Sequence, residues 1–409
     1  MSKTEIPSIR FHGFDDAWEQ RKVNEIATEI TRTDPESTAP VMMISAASGF
    51  IYQSEKYAFD NAGQSLQKYI VLRKGELAYN HGASKQKRYG SCFSLQLDEA
   101  RVPFVYHCFE VGQNNPDFIA IELNSTKIDV QLRRLVSSGC RMDGLLNISY
   151  DDYATMEIPI PQRSEQDKIS LVFSNLDRLI TLHQRKLEKL TNVKKSMLEK
   201  MFPQNGSSYP EIRFKGFTDP WEQRKLGELA PLRGGFAFQS QEYCTEGVPI
   251  VKISNILSDG MVGGEFDYYA ELKDDHEFTL PNGAAVLAMS GATTGKVAIL
   301  LKESNQKYYQ NQRVGYFTST RNVEYSFITT IVRSDLFIEQ LKSVLVAGAQ
   351  PNVSPKDIDS FEFSFPKAQN EQHKIGQFFQ SLDRLITLHQ RELEKLQNIK
   401  KSMLEKMFV

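Results

Sequence analysis

The chain lacks the sequence features of a membrane or secreted protein. Nowhere among its 409 residues does an apolar run approach the roughly 18 residues that a transmembrane helix needs. The first residues have no apolar core of a signal peptide. The four cysteines are scattered and form no C-x-x-C pair, which argues against structural zinc. We therefore expect reduced thiols and a cytoplasmic protein.

Signatures of catalysis are also missing. The chain has no G-x-G-x-x-G, no H-E-x-x-H and no Asn-Pro-Pro-aromatic tetrapeptide of amino-methyltransferases. The segment from Ser290 to Lys296 partly matches the P-loop pattern, but a serine replaces the first glycine and a valine follows the lysine. A nucleotide site there would lack the hydroxyl that binds magnesium. We interpret the segment as a tight turn between two strands, and we predict that the chain alone is not an enzyme and binds no metal or cofactor.

A long segment is present twice. Glu165 to Phe202 and Glu371 to Phe408 align without a gap and are identical at 29 of 38 positions, which indicates a duplicated unit. Apolar residues in each copy recur at steps of three and four, as in an a/d heptad seam. The pattern predicts two amphipathic helices that need a partner for their apolar stripe, with His183 and His389 at equivalent seam positions. The first seam comprises Phe173, Leu176, Ile180, His183, Leu187, Leu190, Lys194, Met197 and Met201.

A second repeat precedes each variable part of the chain. Ile9 to Ala27 and Ile212 to Ala230 contain the only two tryptophans, Trp18 and Trp221, each followed by Glu-Gln-Arg-Lys. We call these segments the tryptophan motifs and interpret their aromatic residues as local core packing. The predicted domains are residues 1–160 and 209–365, each a tryptophan motif with a globular domain, and residues 161–208 and 366–409, each a long helix.

The two variable blocks, roughly 28–160 and 231–365, show little mutual identity but a similar texture. In both blocks, Gly and Asn turns separate short β-like runs. Each block ends in a helical stretch followed by a loop. In that loop, Ser149 or Ser354 precedes an acidic residue, a pattern typical of a helix N-cap. The fold class is therefore α/β (α+β). The predicted strands are Tyr69–Leu72, Phe118–Leu123, Pro249–Ile253, Ala284–Ala288 and Val297–Leu301, and the predicted helices are Lys127–Val136 and Tyr325–Val346.

Because the net charge is only −2, any binding of nucleic acid must depend on local charge. Two runs combine Lys and Arg with Tyr, Asn, Gln and Ser, the side chains that contact phosphates and base edges. The candidate DNA-binding residues in the first run are Arg73, Lys74, Tyr79, Asn80, Ser84, Lys85, Lys87 and Arg88. Those in the second run are Ser290, Thr293, Thr294, Lys296, Asn311, Gln312 and Arg313.

This organisation resembles the specificity subunit of type I restriction–modification systems. The resemblance is carried by the repeated motifs more than by the variable blocks. The matching residues are Phe217, Trp221, Glu222, Lys225 and Leu226, the loop Gly144–Ser149, the Pro-to-Ile runs 161–169 and 366–375, and the helix sequence LDRLITLHQR, which occurs in both copies.

The resemblance implies a non-catalytic protein that binds double-stranded DNA with a bipartite site. Each variable block would be a target recognition domain, and the helices would form an antiparallel coiled coil that relates the domains by a pseudo-two-fold axis. Two methyltransferase subunits would transfer a methyl group from S-adenosylmethionine to adenine. Two motor-nuclease subunits would use ATP and Mg²⁺ to translocate and cut unmodified DNA.

Two other interpretations are open. The chain could be a coiled-coil scaffold whose globular domains bind proteins, and salt-dependent binding of short duplexes would distinguish DNA from that alternative. It could also be an enzyme that uses the loop from Ser290 to Lys296, in which case the isolated chain would bind nucleotide.

Overall fold

The computed structural model describes residues 6–46, 48–57, 63–84, 87–136, 145–204, 206–302, 306–345 and 352–408. The chain forms two compact units: unit 1 comprises Met1–His183 and Glu392–Val409, and unit 2 comprises Gln184–Arg391. Each long helix belongs partly to unit 1 and partly to unit 2. These units differ from the domains proposed from the sequence, whose boundaries remain a prediction. Lys85 and the first part of the loop before Ser149 or Ser354 lie outside the described residues.

Unit 1 is built from short strands and helices, and its last segment leads into a long helix. Its strands are β1 (Glu19–Lys22), β2 (Thr28–Glu29), β3 (Met42–Ser45), β4 (Gly49–Tyr52), β5 (Ile70–Arg73), β6 (Leu77–Asn80), β7 (Ser91–Ser94), β8 (Glu99–Val102), β9 (His107–Glu110) and β10 (Glu157–Ile160). Its helices are α1 (Val23–Ile26), α2 (Gln53–Lys56), α3 (Pro116–Leu123), α4 (Thr126–Leu135) and α5 (Tyr150–Ala154), and the long helix is α6 (Arg163–Met201).

Unit 2 repeats this organisation. Its strands are β11 (Glu222–Lys225), β12 (Leu232–Arg233), β13 (Val248–Val251), β14 (Asp267–Tyr269), β15 (Ala285–Ala288), β16 (Val297–Ile299), β17 (Tyr309–Gln310), β18 (Val314–Phe317) and β19 (Glu362–Phe365). Its helices are α7 (Leu226–Leu229), α8 (Tyr325–Ile331), α9 (Asp335–Leu345) and α10 (Pro355–Asp359), followed by the second long helix α11 (Gln369–Met407).

The two units share one sheet topology although their variable blocks differ in sequence. The four-stranded sheet has the order β2-β9-β6-β7 in unit 1 and β12-β18-β15-β16 in unit 2. The tryptophan motif of each unit also forms the same antiparallel pair, β1 with β10 and β11 with β19, in which Arg21 lies opposite Ile158 and Arg224 lies opposite Phe363. The predicted α/β (α+β) class is confirmed, and the duplication extends to the four-stranded sheet of each variable block, whereas the other sheets of the two blocks differ.

The predicted limits of the two long helices and the two predicted helix caps are confirmed. Helices α6 and α11 contain 39 residues each and begin and end within two residues of the predicted limits. The side chain of Ser149 accepts a hydrogen bond from the backbone N–H of Asp152 at the start of α5. Ser354 and Asp357 form a full capping box at the start of α10, and these bonds lower the pKa of Asp357. Both serines therefore end the preceding loop and begin a helix.

Two predictions in the variable blocks are wrong. The run from Phe118 to Leu123 is helix α3, not a strand, because Asn115 caps it and Pro116 occupies its first turn. Its residues are buried on most sides, so the sequence lacks the amphipathic period of a surface helix. The predicted helix from Tyr325 to Val346 is interrupted after α8, where the Ser334 hydroxyl donates to the Ile331 carbonyl at 2.6 Å.

Within each unit the two long-helix segments run in opposite directions. In unit 1, the Phe173 ring near the start of α6 lies 5.7 Å from that of Phe408 at the end of α11, and Asp177 pairs with Lys400 at 2.5 Å. Unit 2 has the matching pair between Lys194 of α6 and Asp383 of α11 at 2.7 Å. The predicted antiparallel association is therefore confirmed in both units.

Each core is centred on a tryptophan motif and both long helices. Trp18 is 5% exposed in unit 1 and Trp221 is 4% exposed in unit 2, which confirms their interpretation as core residues. Phe408 belongs to the core of unit 1 and Phe202 to that of unit 2. In the described part of the chain, no helix is both long and apolar enough to cross a membrane.

Candidate nucleic-acid interface

The structure divides the first basic run between two ends of one strand. Arg73 and Lys74 are exposed at the turn from β5 to β6, whereas Ser84 and Arg88 are exposed in the loop after β6. Strand β6 has four residues and therefore spans about 13 Å. The first basic run is therefore not one continuous surface. Its residues are close in the sequence, but strand β6 separates them in the structure.

Tyr79 is not a surface residue, which corrects its assignment as a contact. Its side chain is 2% exposed, its ring stacks on that of Tyr153 at 4.2 Å, and its hydroxyl donates to the Tyr89 carbonyl at 2.5 Å. Burial raises the pKa of this hydroxyl. Strand β6 is buried on both faces, since Leu77, Ala78 and Tyr79 are all buried, so a tyrosine within a charged run still lies in the core.

Asn80 and Lys87 have structural partners within unit 1. The Asn80 amide donates to the Ile44 carbonyl at 3.2 Å and accepts from the Gly82 N–H at 2.9 Å. The Lys87 ammonium donates to the Asn124 carbonyl at 2.7 Å, and burial lowers its pKa. These contacts shape the loop after β6, so both residues are weaker candidates for DNA contact than their neighbours.

Ser84 and Arg88 remain at the surface of this loop. The Ser84 hydroxyl accepts a hydrogen bond from the Lys87 N–H at 3.0 Å. The Arg88 guanidinium lies 5.8 Å above the centre of the Tyr89 ring, and both its exposure and its charge leave it able to contact a phosphate or a guanine edge. Arg88 is therefore a candidate for DNA contact in unit 1.

The first part of the second run is the predicted tight turn, between β15 and β16. Gly291 and Gly295 have φ values of +82° and +88°, a conformation that favours glycine. The Thr293 hydroxyl donates to the Ile253 carbonyl at 3.2 Å and that of Thr294 to the Gly291 carbonyl at 2.6 Å. The turn is therefore held by its own side chains and is not arranged as a phosphate-binding loop followed by a helix.

The structure brings this turn together with Asn311, Gln312 and Arg313. These three residues connect β17 to β18, and the Met289 N–H donates to the Arg313 carbonyl at 3.0 Å. Ser290 pairs with Asn352 through an isolated bridge. The Asn311 side chain accepts from the Arg313 N–H at 3.2 Å, while the side chains of Gln312 and Arg313 are exposed.

Sequence reasoning missed a hairpin at the same end of the sheet. Its Ile256 and Val262 form an antiparallel bridge across a turn that contains Asp259-Gly260, and the Lys296 ammonium donates to the Ser258 hydroxyl at 2.9 Å. An Asp-Gly pair between apolar residues is a strong local indication of a hairpin, so this element was detectable.

The loops at the corresponding end of both sheets are joined in the same way. In unit 1 the Leu146 N–H donates to the His81 carbonyl at 2.9 Å, and in unit 2 the Val353 N–H donates to the Met289 carbonyl at 2.9 Å. Each unit thus attaches the loop before its capped helix, α5 or α10, to the end of the strand β6 or β15. The two units therefore attach loops with different side chains to equivalent strands of their four-stranded sheets.

The exposed side chains of these loops can donate hydrogen bonds. The exposed members of the predicted set at this end are Ser84, Arg88, Lys296, Gln312 and Arg313. Guanidinium, ammonium and amide groups bind phosphates and read guanine or adenine edges. Among the residues that the structure describes, no group of three or more His, Cys, Asp or Glu side chains could hold a metal ion.

Comparison with known proteins finds one family model and several relatives that are similar to this chain. The family described as "Type I restriction modification DNA specificity domain" matches residues 218–398. The type I restriction enzyme MjaVIII specificity subunit of Methanocaldococcus jannaschii is 25% identical over 269 residues, which cover 64% of this chain and 63% of that protein. The putative MjaX specificity subunit of the same organism is 23% identical over 263 residues, which cover 61% of this chain and 57% of that protein.

Over part of its length, the chain is similar to the specificity subunits of type I restriction–modification systems. Its matched part spans less than two thirds of the length of either relative. The crystal structure of the type I restriction–modification S subunit from M. genitalium covers 99% of both chains with a TM-score of 0.60 at 15% identity, which shows a common fold. The resemblance inferred from the duplicated motifs is confirmed.

Proposed function

We propose that this chain reads DNA sequence for a type I restriction–modification complex. The observation that carries the proposal is the pair of sheets with one topology and different loops. Equivalent backbones present Arg88 in one unit and Lys296, Gln312 and Arg313 in the other, so each unit would recognise a different half of a bipartite site. A scaffold that binds two copies of one protein would need similar surfaces on both units.

The chemistry would be performed by partner subunits. Two methyltransferase subunits would bind S-adenosylmethionine and methylate adenine, and two motor-nuclease subunits would use ATP and Mg²⁺. The role of this chain would be to position those subunits on DNA, and the complex would act in the cytoplasm. The match of residues 218–398 to the specificity-domain family and the absence of catalytic sequence signatures support this division of labour.

Methylation mapping tests the proposal directly. The full chain would be produced with its methyltransferase partner in cells that lack other adenine methylation, and the methylated sites would be sequenced. We expect one motif in two parts separated by a fixed gap. Methylation without a sequence motif, or methyl transfer by the purified chain alone, would contradict the proposal.

A block exchange then tests which unit reads which half. Replacing residues 231–365 with the corresponding block of a relative should change one half of the motif and leave the other intact. The matched control is the exchange of residues 28–160, which should change the other half. If either exchange altered both halves, the units would not read DNA independently.

A further inference from the structure

An aromatic side chain is exposed beside the loops of unit 2 that carry the proposed DNA contacts. Phe236 is 41% exposed although phenylalanine has no polar atom to be solvated. Its ring stacks on that of Phe278 with centroids 4.8 Å apart and planes 30° apart, and Phe238 meets it edge-on at 4.9 Å. Phe236 is therefore the solvent-facing ring of an aromatic cluster.

The backbone holds this ring in a defined place. The Phe236 N–H donates to the Gln310 carbonyl at 2.8 Å, and its carbonyl accepts from the Gln312 N–H at 2.9 Å. A Cβ at Gly235 would lie 2.3 Å from the Gln310 carbonyl oxygen and 2.4 Å from that of Asn311. Only glycine permits this approach, so the sequence Gly-Phe is required to present the ring here.

The surroundings of Phe236 are those of a DNA-contacting surface. The same backbone pairing that fixes Phe236 fixes Gln312, which is exposed next to Arg313. Through the bond between Met289 and Arg313, the turn that carries Lys296 belongs to the same group of loops. Cationic and amide side chains would orient the phosphate backbone and base edges around a rigid apolar ring.

We propose that Phe236 contacts the face of a base in the half-site read by unit 2, as an apolar wedge that partly unstacks one base step. Aromatic side chains stack on bases irrespective of their sequence, and apolar wedges inserted between base steps kink the duplex. A ring that is already fixed loses little conformational freedom on binding. This inference rests on the proposed function. It adds a contact whose strength depends on how easily the DNA sequence at that step is deformed.

Unit 1 has a counterpart at the equivalent end of its sheet. Phe104 is 50% exposed in the turn before β9, where the Tyr106 N–H donates to the Pro103 carbonyl at 3.0 Å. Strand β9 occupies the same place in its sheet as β18 does in unit 2. Phe104 is thus expected to make the same kind of contact in the other half-site.

The test uses the full chain assembled with its methyltransferase partner and duplexes of the mapped motif. The fluorescent adenine analogue 2-aminopurine replaces one base at a time, because its emission rises when it is unstacked. The variants are Phe236→Ala, Phe236→Leu and Phe236→Trp, and the control is Tyr209→Ala, an aromatic residue that is 53% exposed outside the site loops.

We expect the wild type to raise emission at one position of the unit 2 half-site. Phe236→Ala should abolish that signal and weaken binding roughly 5- to 150-fold, the range of one base–aromatic stack. Phe236→Trp should retain the signal. Phe236→Leu keeps an apolar wedge but has no ring to stack on a base, so it should retain the emission signal and bind more weakly than the wild type. Tyr209→Ala should change neither quantity.

Two results would overturn the inference while leaving the proposed function intact. One is wild-type emission and affinity in Phe236→Ala. The other is a Phe236→Ala variant that binds DNA normally but no longer binds the methyltransferase subunit, which would make the ring a protein contact. If the wild type bound no duplex selectively, the proposed function itself would fail.

Discussion

Arg213 and Glu371 form a paired ion bridge that joins the tryptophan motif of unit 2 to the start of α11. The Nε and Nη2 atoms of Arg213 lie 2.7 and 2.9 Å from the two carboxylate oxygens, and the Glu371 side chain is 1% exposed. Arg10 and Glu165 repeat this geometry in unit 1 at 2.7 and 2.8 Å. Duplication has therefore preserved a buried charge pair at the same junction.

Removing the arginine should be costly because the carboxylate would remain buried. We expect Arg213→Ala to lower the free energy of unfolding by about 3–5 kcal/mol, as for other broken buried pairs. Urea denaturation would measure this difference. The control is Arg224→Ala, which breaks an exposed pair with Glu228 and should cost less than about 1 kcal/mol. Equal costs for the two variants would show that burial does not determine the effect.

Phe408 closes the core of unit 1, so its removal should affect that unit selectively. Its ring lies 6.1 Å from Trp18, 5.7 Å from Phe118 and 5.7 Å from Phe173. Phe408→Ala should cost about 3–5 kcal/mol. In hydrogen exchange, the amides of α3 should lose protection, while those of α8 in unit 2 should keep it.

The matched variant is Phe202→Ala in unit 2. Phe202 lies 5.8 Å from Trp221, 5.6 Å from Phe327 and 6.2 Å from Phe379, the same arrangement of partners. Its loss should expose α8 and spare α3. A uniform loss of protection in both variants would indicate that the two units unfold as one.

Arg313 should act on DNA binding and not on stability, because its side chain is exposed at the site loops. If Arg313 reads a base, Arg313→Ala should lower the binding free energy by about 1–3 kcal/mol and relax specificity at one position of the motif. If Arg313 binds a phosphate, the affinity should fall equally for all sequences, and the slope of the binding constant against salt concentration should decrease by about 1. Titrations of duplexes at several salt concentrations separate these results. Arg321→Ala, also exposed, is the control, and wild-type binding by Arg313→Ala would remove it from the interface.

The long helices and the helix caps were predictable because the local sequence pattern and the structure agree there. Both long helices follow the heptad pattern, and Ser149 and Ser354 cap helices as their sequences indicate. In these segments the local preference and the tertiary contact favour the same conformation. Helix α3 was missed because its apolar residues are buried on most sides, which removes the period that distinguishes a helix from a strand.

The candidate site was predictable in composition but not in arrangement. The charged runs identified the loops that carry Arg88 and Arg313, yet the same criterion included Tyr79, which is buried because both faces of β6 are covered. It missed Phe236 and Ser258, because neither carries charge and their proximity to the site depends on pairings between distant segments. Sequence runs report which side chains are present, whereas strand topology decides which of them meet.

His107 should make the stability of unit 1 depend on pH. The imidazole is half-buried between the rings of His81, Tyr79 and Tyr153. Burial lowers its pKa, and this effect outweighs the opposing hydrogen bond to the Ile148 carbonyl at 3.1 Å. Because Nε2 faces an acceptor, Nε2 carries the proton of the neutral ring.

The sign of the effect follows from proton uptake. The unfolded chain protonates this histidine near its ordinary pKa of about 6.5, whereas the folded chain protonates it only at lower pH. As the pH falls below about 6.5, the unfolded state therefore binds more protons and unit 1 loses stability. His107→Gln, whose amide can still donate to Ile148, should lose less stability between about pH 7.5 and pH 5. Urea midpoints at both pH values measure this difference, with His12→Gln at an exposed position as the control. Parallel pH profiles for the wild type and His107→Gln would show that His107 does not sense pH.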